Sequence, residues 1–311
     1  MAFFFSEKER NAYICYFTLY EILNRSFTKT NALYQEIKDE DDWEYIIPQL
    51  MIIDPKDVSL AREKVEKNID LLNKFDIIAK KGSKFYPKRL EKLDGSPEFL
   101  FMRGEPSLAD LPVISIVGSR KASKEGQNKA RLLSRLLSER NIIVASGLAR
   151  GIDYAAHLGT YDAGKPTIAV IGTPLNKVYP KEHKNLQEYI GSTGLVISQF
   201  PPGAPVQRWN FPMRNATMSG ISIATIVMEA GETSGALIQA REALKQGRKV
   251  FIPQSAIDNE NLKWPRKLVA EKGAHKFRTL GELMELLNNQ NLLTSYVDKD
   301  KSEIITYGEM E

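Results

Sequence analysis

Five consecutive residues, Val113-Ile114-Ser115-Ile116-Val117, constrain the fold of this chain more than any other stretch. The run is apolar and rich in β-branched residues, so it reads as a buried strand. It exits sharply through Gly118-Ser119-Arg120, and a helical pattern then runs from about Ser123 to Arg140. Strand, glycine turn and helix in that order present backbone N–H groups to an anion at a helix N-terminus. A guanidinium at that mouth suits a phosphate. An ordinary turn with a solvated arginine has the same local sequence, so the turn alone leaves both readings open.

The same alternation recurs toward the C-terminus. Strands are expected at Ile142–Ala145, Thr167–Ile171, Leu195–Ser198, Ile223–Met228 and Lys249–Ile252, with helices between them. Alternation of this kind implies an α/β fold with a doubly wound, mainly parallel sheet. Ligands of such sheets bind at the carboxyl ends of the strands. Those ends carry Gly118-Ser119-Arg120, Ser146-Gly147, Gly172-Thr173, Ser198-Gln199 and Glu229-Ala230-Gly231, several of them small enough to admit a ligand to the backbone. Phe99–Met102 reads as a short strand edging the sheet.

Residues 1–88 read as a helical accessory domain, with apolar residues at helical spacing in Asn11–Leu23 and Asp57–Phe75. Residues 89–280 are expected to form the Rossmann-like domain and 281–311 an acidic tail. From Gly281 to Glu311 seven acids meet two bases, a net −5, so the preceding residues carry +9 of a whole-chain +4. A body that basic suits a polyanion. No apolar run approaches the roughly 20 residues of a membrane helix. Phe3-Phe4-Phe5 leads straight into Ser6-Glu7-Lys8-Glu9-Arg10, which does not read as a signal peptide. One cysteine, Cys15, permits neither an internal disulfide nor a cysteine-based metal site. A cytoplasmic location is the expectation.

Several motifs fail on inspection. Gly159-Thr160-Tyr161-Asp162-Ala163-Gly164-Lys165 fits a Walker A loop until Pro166, where Ser or Thr must hold magnesium. It also runs from helix to strand, the wrong direction, and Gly164 reads as a helix C-cap. The first strand lacks a Gly-x-Gly-x-x-Gly fingerprint, and His157, His183 and His275 are scattered. Neither a cofactor nor a metal is expected. Arg208-Trp209 and Phe211-Pro212-Met213-Arg214-Asn215 interleave basic and aromatic groups, which suits a single strand whose bases stack while its phosphates pair. Thr233-Ser234-Gly235 opens a helix and offers a second phosphate cradle. Glu229, at a strand end, is a candidate acid or base with no partner carboxylate.

Taken in order, eight segments resemble the DprA/Smf family of Rossmann-like DNA-processing proteins. They are Tyr86-Pro87…Leu90, Leu100-Phe101-Met102-Arg103-Gly104, Ile116-Val117-Gly118-Ser119-Arg120, Ser146-Gly147-Leu148-Ala149-Arg150-Gly151-Ile152-Asp153, Val178-Tyr179-Pro180, Phe200-Pro201-Pro202-Gly203, Phe211-Pro212-Met213-Arg214-Asn215, and Glu229-Ala230…Ser234-Gly235-Ala236-Leu237. The resemblance covers about residues 85 to 275. It implies an extended Rossmann-like domain that binds single-stranded DNA in a basic pocket. It further implies a homodimer that loads RecA onto strands during DNA uptake and recombination, with no catalytic residues. By position, Gly118, Ser119, Arg120, Arg150, Lys177, Arg214, Asn215, Ser234 and Gly235 are the implied DNA and phosphate contacts, with Arg150 and Asp153 equally suited to a structural role.

The chain departs from the family at Gln199, where Glu is usual, at Ala216, where a second Arg is usual, and at Pro253-Gln254, where Pro-Gly is usual. The stretch after residue 280 is too short and too acidic for the winged helix of many members. A divergent member is therefore expected, with phage defence or control of a neighbouring toxin as alternative settings. A rival reading is a nucleotide-binding sensor or hydrolase of the related lysine-decarboxylase-like group, using Glu229 and Arg120. That group's Pro-Gly-Gly-x-Gly-Thr signature is missing. A third reading is a protein-interaction role for the acidic tail.

Overall fold

A computed structural model of the chain describes residues 6–270 and 273–293. Four helices come first, α1 (Glu7–Ile22), α2 (Phe27–Ile37), α3 (Trp43–Met51) and α4 (Pro55–Ile69). Ser6, Ser26 and Asp54 start three of them by accepting the N–H groups of Glu9, Lys29 and Lys56. Pro55 fills a first-turn position where a missing N–H costs nothing. Then come β1 (Ile77–Lys80), α5 (Lys88–Glu91) and β2 (Phe99–Gly104). The remainder alternates: β3 (Val113–Val117), α6 (Lys124–Ser138), β4 (Ile143–Ser146), α7 (Ile152–Asp162), β5 (Thr167–Ile171), α8 (Lys184–Thr193), β6 (Leu195–Ser198), α9 (Asn210–Ile221), β7 (Ala224–Val227), α10 (Gly235–Lys245), β8 (Lys249–Pro253), α11 (Gln254–Ile257), α12 (Trp264–Ala270), β9 (Ala274–Phe277) and α13 (Leu280–Asn289).

The strands form a nine-stranded sheet in the order β1-β2-β6-β5-β4-β3-β7-β8-β9. Its pairs are parallel from β5 through β4, β3, β7 and β8 to β9, and antiparallel for β1 with β2 and β2 with β6. The α/β, mainly parallel architecture expected from the alternation is present. Phe99–Met102 is a strand but not an edge: β1 covers its outer side, with Ile77 opposite Met102. Ile77-Ile78-Ala79 falls in the stretch that reads as helical in the sequence, so that strand was not expected. Chain order changes direction at β3, which has β4 on one side and β7 on the other. That switch point is where open α/β sheets take ligands.

The chain divides into two compact units, Met1–Pro106 with Val170–Arg214, and Ser107–Ala169 with Asn215–Glu311. The N-terminal helices share the first unit with β1 and β2. In that unit an aromatic core joins helix to strand: Phe17 of α1 lies 5.6 Å from Phe99 and 5.8 Å from Phe101, ring centre to ring centre, both rings being on β2. Arg103 donates from Nε and Nη2 to the two carboxylate oxygens of the fully buried Asp76, at 2.7 and 2.8 Å. An acid this deep persists only with such pairing.

In the second unit a core cluster gathers residues of β3, of its neighbours β4 and β7, and of the helices packed on that face. It includes Ile114, Ile116, Leu137, Val144, Ile152, Ile226 and Phe251. Leu283 and Leu287 of α13 belong to the same core. The first residues of the expected acidic tail are therefore a packed helix, and residues 294–311 lie outside the described residues.

Candidate nucleic-acid interface

The second unit holds the switch point. β3 and β7 are parallel neighbours, with Val117 opposite Val227. Beyond the strand ends the two chains stay side by side: Met228 N–H donates to Val117 O at 3.0 Å and Ser119 N–H to Glu229 O at 2.6 Å. A side chain at Gly118 would put its Cβ 2.4 Å from Ile152 Cγ1 and 2.7 Å from Glu229 O, so only glycine fits between β7 and α7. Gly151 comes as close from the other side. Its φ of +75° and a hypothetical Cβ 2.2 Å from Ser119 O both require glycine. Ile152 N–H also donates to Ser119 O at 3.2 Å. Arg150 and Arg120, both exposed, thus stand on backbone segments in direct contact.

The sequence predicts open amides at the start of α6. The structure shows several of them already engaged. Ser123 N–H donates to Glu229 Oε1 at 2.8 Å, Ser123 Oγ donates to Glu229 Oε2 at 2.6 Å, and Gly126 N–H donates to Ser123 Oγ at 2.9 Å. Lys121 N–H donates to Ser119 Oγ at 3.0 Å. The protein's own carboxylate sits at this helix N-terminus, which the helix dipole favours. The turn is left with the exposed side chains of Arg120 and Lys121 as its outward face. Glu229, read from sequence as a candidate acid or base, holds a helix start through both of its oxygens.

Glu229 begins a loop that serves two further helices. Glu232 Oε1 accepts from the N–H groups of Lys263 and Trp264 at the start of α12, at 2.6 and 3.2 Å. Ser234 Oγ accepts from Ala236 N–H at the start of α10, at 3.3 Å. Asn215, buried, donates from Nδ2 to Gly235 O at 3.4 Å. The unit therefore gathers Asn215, Ser234 and Gly235 in one place, and Gly118, Ser119, Arg120 and Arg150 in another.

Lys177 and Arg214 lie in the first unit. Arg214 is buried, only 5% exposed, and its guanidinium donates to Val170 O on β5. Its sequence position suggests a pocket wall; in the structure it is buried and ties α9 to β5. Lys177 Nζ donates to Ala204 O at 2.8 Å. An ammonium has three donors, and this contact takes one. The Lys177 carbonyl accepts from Thr173 Oγ1 and Gln187 Nε2, which fixes the segment. Nearby, Phe211 covers Gly172, where a Cβ would meet Phe211 Cδ1 at 2.8 Å. Phe211 lies 5.4 Å from the exposed Tyr179, ring centre to ring centre. Trp209 and Arg208 are exposed beside them in sequence. Sequence reasoning singled out the 208–215 segment but missed Tyr179 as its partner. The signal available was the Lys177-Val178-Tyr179 spacing.

Among the described residues no group of three or more His, Cys, Asp or Glu side chains is placed to hold a metal, and no helix is long and apolar enough to cross a membrane.

Comparison with known proteins bears on this geometry. DNA processing protein DprA of Streptococcus pneumoniae strain R6 is 42% identical over 174 residues, 56% of this chain and 61% of that protein. The chain thus matches about three fifths of that curated relative's length. An X-ray structure of the Streptococcus pneumoniae protein superposes with a TM-score of 0.69 at 28% identity, covering 89% of this chain and 95% of the other. DNA processing protein A from Helicobacter pylori, described for its unique single-stranded DNA binding mode, shares the fold with a TM-score of 0.56 at 24% identity, over 69% of this chain and 94% of that one. The family model for DNA recombination-mediator protein A matches residues 77–288, well over half of the chain and every residue of the switch point just described. The chain belongs to the DNA recombination-mediator protein A family, the DprA/Smf proteins.

Proposed function

We propose that this chain binds single-stranded DNA through its phosphates and acts as a recombination mediator with no catalytic step of its own. It works in the cytoplasm as a homodimer and passes strands, including incoming DNA, to a RecA-type recombinase. The observation that carries the reading is the β3–α6 turn. Backbone and serine contacts fix residues 119 and 123, while Arg120 and Lys121 face solvent between them. Cations on a fixed loop with an exposed Arg150 alongside suit a polyanionic backbone. The Tyr179–Phe211 pair and the exposed Trp209 supply flat apolar surface of the kind on which unpaired bases stack. Support from relatives is of the same sense: the family is described as a recombination mediator and the Helicobacter pylori protein for its single-stranded DNA binding mode.

The test is fluorescence anisotropy of a labelled oligo-dT with wild type and Arg120→Ala across a salt series. Binding should fall as salt rises, with a slope of about 0.7 per phosphate neutralised. Arg120→Ala should weaken it and flatten the slope by about that amount. Affinity indifferent to salt and to Arg120→Ala would overturn the proposal and send the search to nucleotides.

A further inference from the structure

We infer that Glu229 is a positioning residue for phosphate binding: it clamps both ends of the loop that carries Arg120 and Lys121. The inference deepens the phosphate-binding reading above and rests on it. The backbone carbonyl of Glu229 holds Ser119 N–H at 2.6 Å, and its carboxylate holds Ser123 N–H at 2.8 Å and Ser123 Oγ at 2.6 Å. One residue thus fixes the loop where it leaves β3 and where it enters α6. Arg120, Lys121 and Ala122 lie between the two attachments. The clamp is closely built. A Cβ at Gly126 would lie 2.2 Å from Glu229 Oε2, so glycine at the third position of α6 makes the room that the carboxylate occupies.

Two effects of Glu229 on a bound strand oppose each other, and their sizes separate the explanations. As an anion near phosphate it repels. Through water at about 8 Å, and screened over a similar length, that is worth at most about twofold in affinity. As a clamp it holds a charge-assisted contact in place, and losing one such contact costs about tenfold or more. A bystander carboxylate therefore makes the Glu229→Ala protein bind more tightly. A positioning carboxylate makes it bind less tightly, although the variant is more positive.

The experiment is a double-mutant cycle read by anisotropy of labelled oligo-dT, with wild type, Glu229→Ala, Glu229→Gln, Arg120→Ala and Arg120→Ala/Glu229→Ala, each across salt. Glu229→Ala should weaken binding about tenfold and reduce the salt slope by about 0.7, the share of one phosphate. Glu229→Gln, which keeps an acceptor for Ser123 N–H, should stay within about twofold of wild type. With Arg120 already alanine, removing Glu229 should change little, because the two act as a unit. Should Glu229→Ala not fold, Glu229→Asp takes its place, since it keeps the charge and shortens the reach to Ser123; weakened binding supports the inference and unchanged binding overturns it. Tighter binding by Glu229→Ala, or an effect that adds in full to that of Arg120→Ala, also overturns it. If Arg120→Ala itself changes nothing, the phosphate-binding reading falls first, and the inference with it, an outcome distinct from failure of the clamp alone.

Discussion

A methyl group at residue 118 has nowhere to go. It would stand 2.4 Å from Ile152 Cγ1 and 2.7 Å from a carbonyl oxygen, neither of which is the loose end of a long side chain. Gly235 is the opposite case: its φ is unexceptional and a Cβ there meets nothing within 4 Å. The fold demands glycine at the first position and not at the second. Gly118→Ala is therefore expected to cost about 1–3 kcal/mol, the usual toll of overpacking, and to disturb the Arg120 turn with it. Gly235→Ala should leave the stability within about 0.5 kcal/mol of wild type. Urea melts of both variants, followed by oligo-dT titration, separate the roles. Equal stability losses would contradict the packing argument. Weakened DNA binding by Gly235→Ala at unchanged stability would mean that a ligand, and not the protein, needs the space.

At the scale of elements, α13 shows how an average misleads. Residues 281–311 are acidic in sum, yet Leu283 and Leu287 stand one helical turn apart and are fully buried, while Thr279 caps the helix by accepting from Glu282 N–H at 3.2 Å. Net charge counts residues; burial selects a face. Leu283→Ala should cost about 2–5 kcal/mol in a urea melt, as for other buried leucines, whereas a solvated tail would register nothing. The apolar strands β3, β5 and β6 were legible because their runs are continuous and β-branched. β1 and β9 were not: β9 sets His275 and Lys276 between Ala274 and Phe277, so it has no apolar run, and β1 falls in a stretch otherwise patterned for helices. α9 escaped for another reason: it buries Arg214, Asn215, Thr217 and Ser219, so its inner face is not apolar. Within the site, Gly118-Ser119-Arg120 was legible as a turn because its neighbours in sequence define it. The carboxylate at the start of α6 was not, because 106 residues separate Ser123 from Glu229 and only the parallel register of β3 and β7 brings them together.

At the scale of the whole molecule, the chain reports on itself. It has three tryptophans, and their exposures differ sharply: Trp43 is 2% exposed, Trp264 3% and Trp209 62%. Trp264 is further held by its indole N–H on Ala230 O at 2.7 Å. An aqueous quencher such as acrylamide therefore reaches mainly Trp209, and Trp209→Phe should remove most of the quenchable emission. The same residue lies between Arg208 and the Phe211 that meets Tyr179, in the segment read from sequence as a stacking surface. If bases stack there, oligo-dT should quench Trp209 and shield it from acrylamide. Both effects should vanish in Trp209→Phe and fade as salt rises, since phosphate contacts deliver the strand. Stacking is worth about 1–3 kcal/mol per base, so Trp209→Phe, which keeps a ring, should bind more tightly than Trp209→Ala. Salt-sensitive binding with no change in Trp209 emission would keep the phosphate contacts at the β3–α6 turn and remove base stacking from this segment.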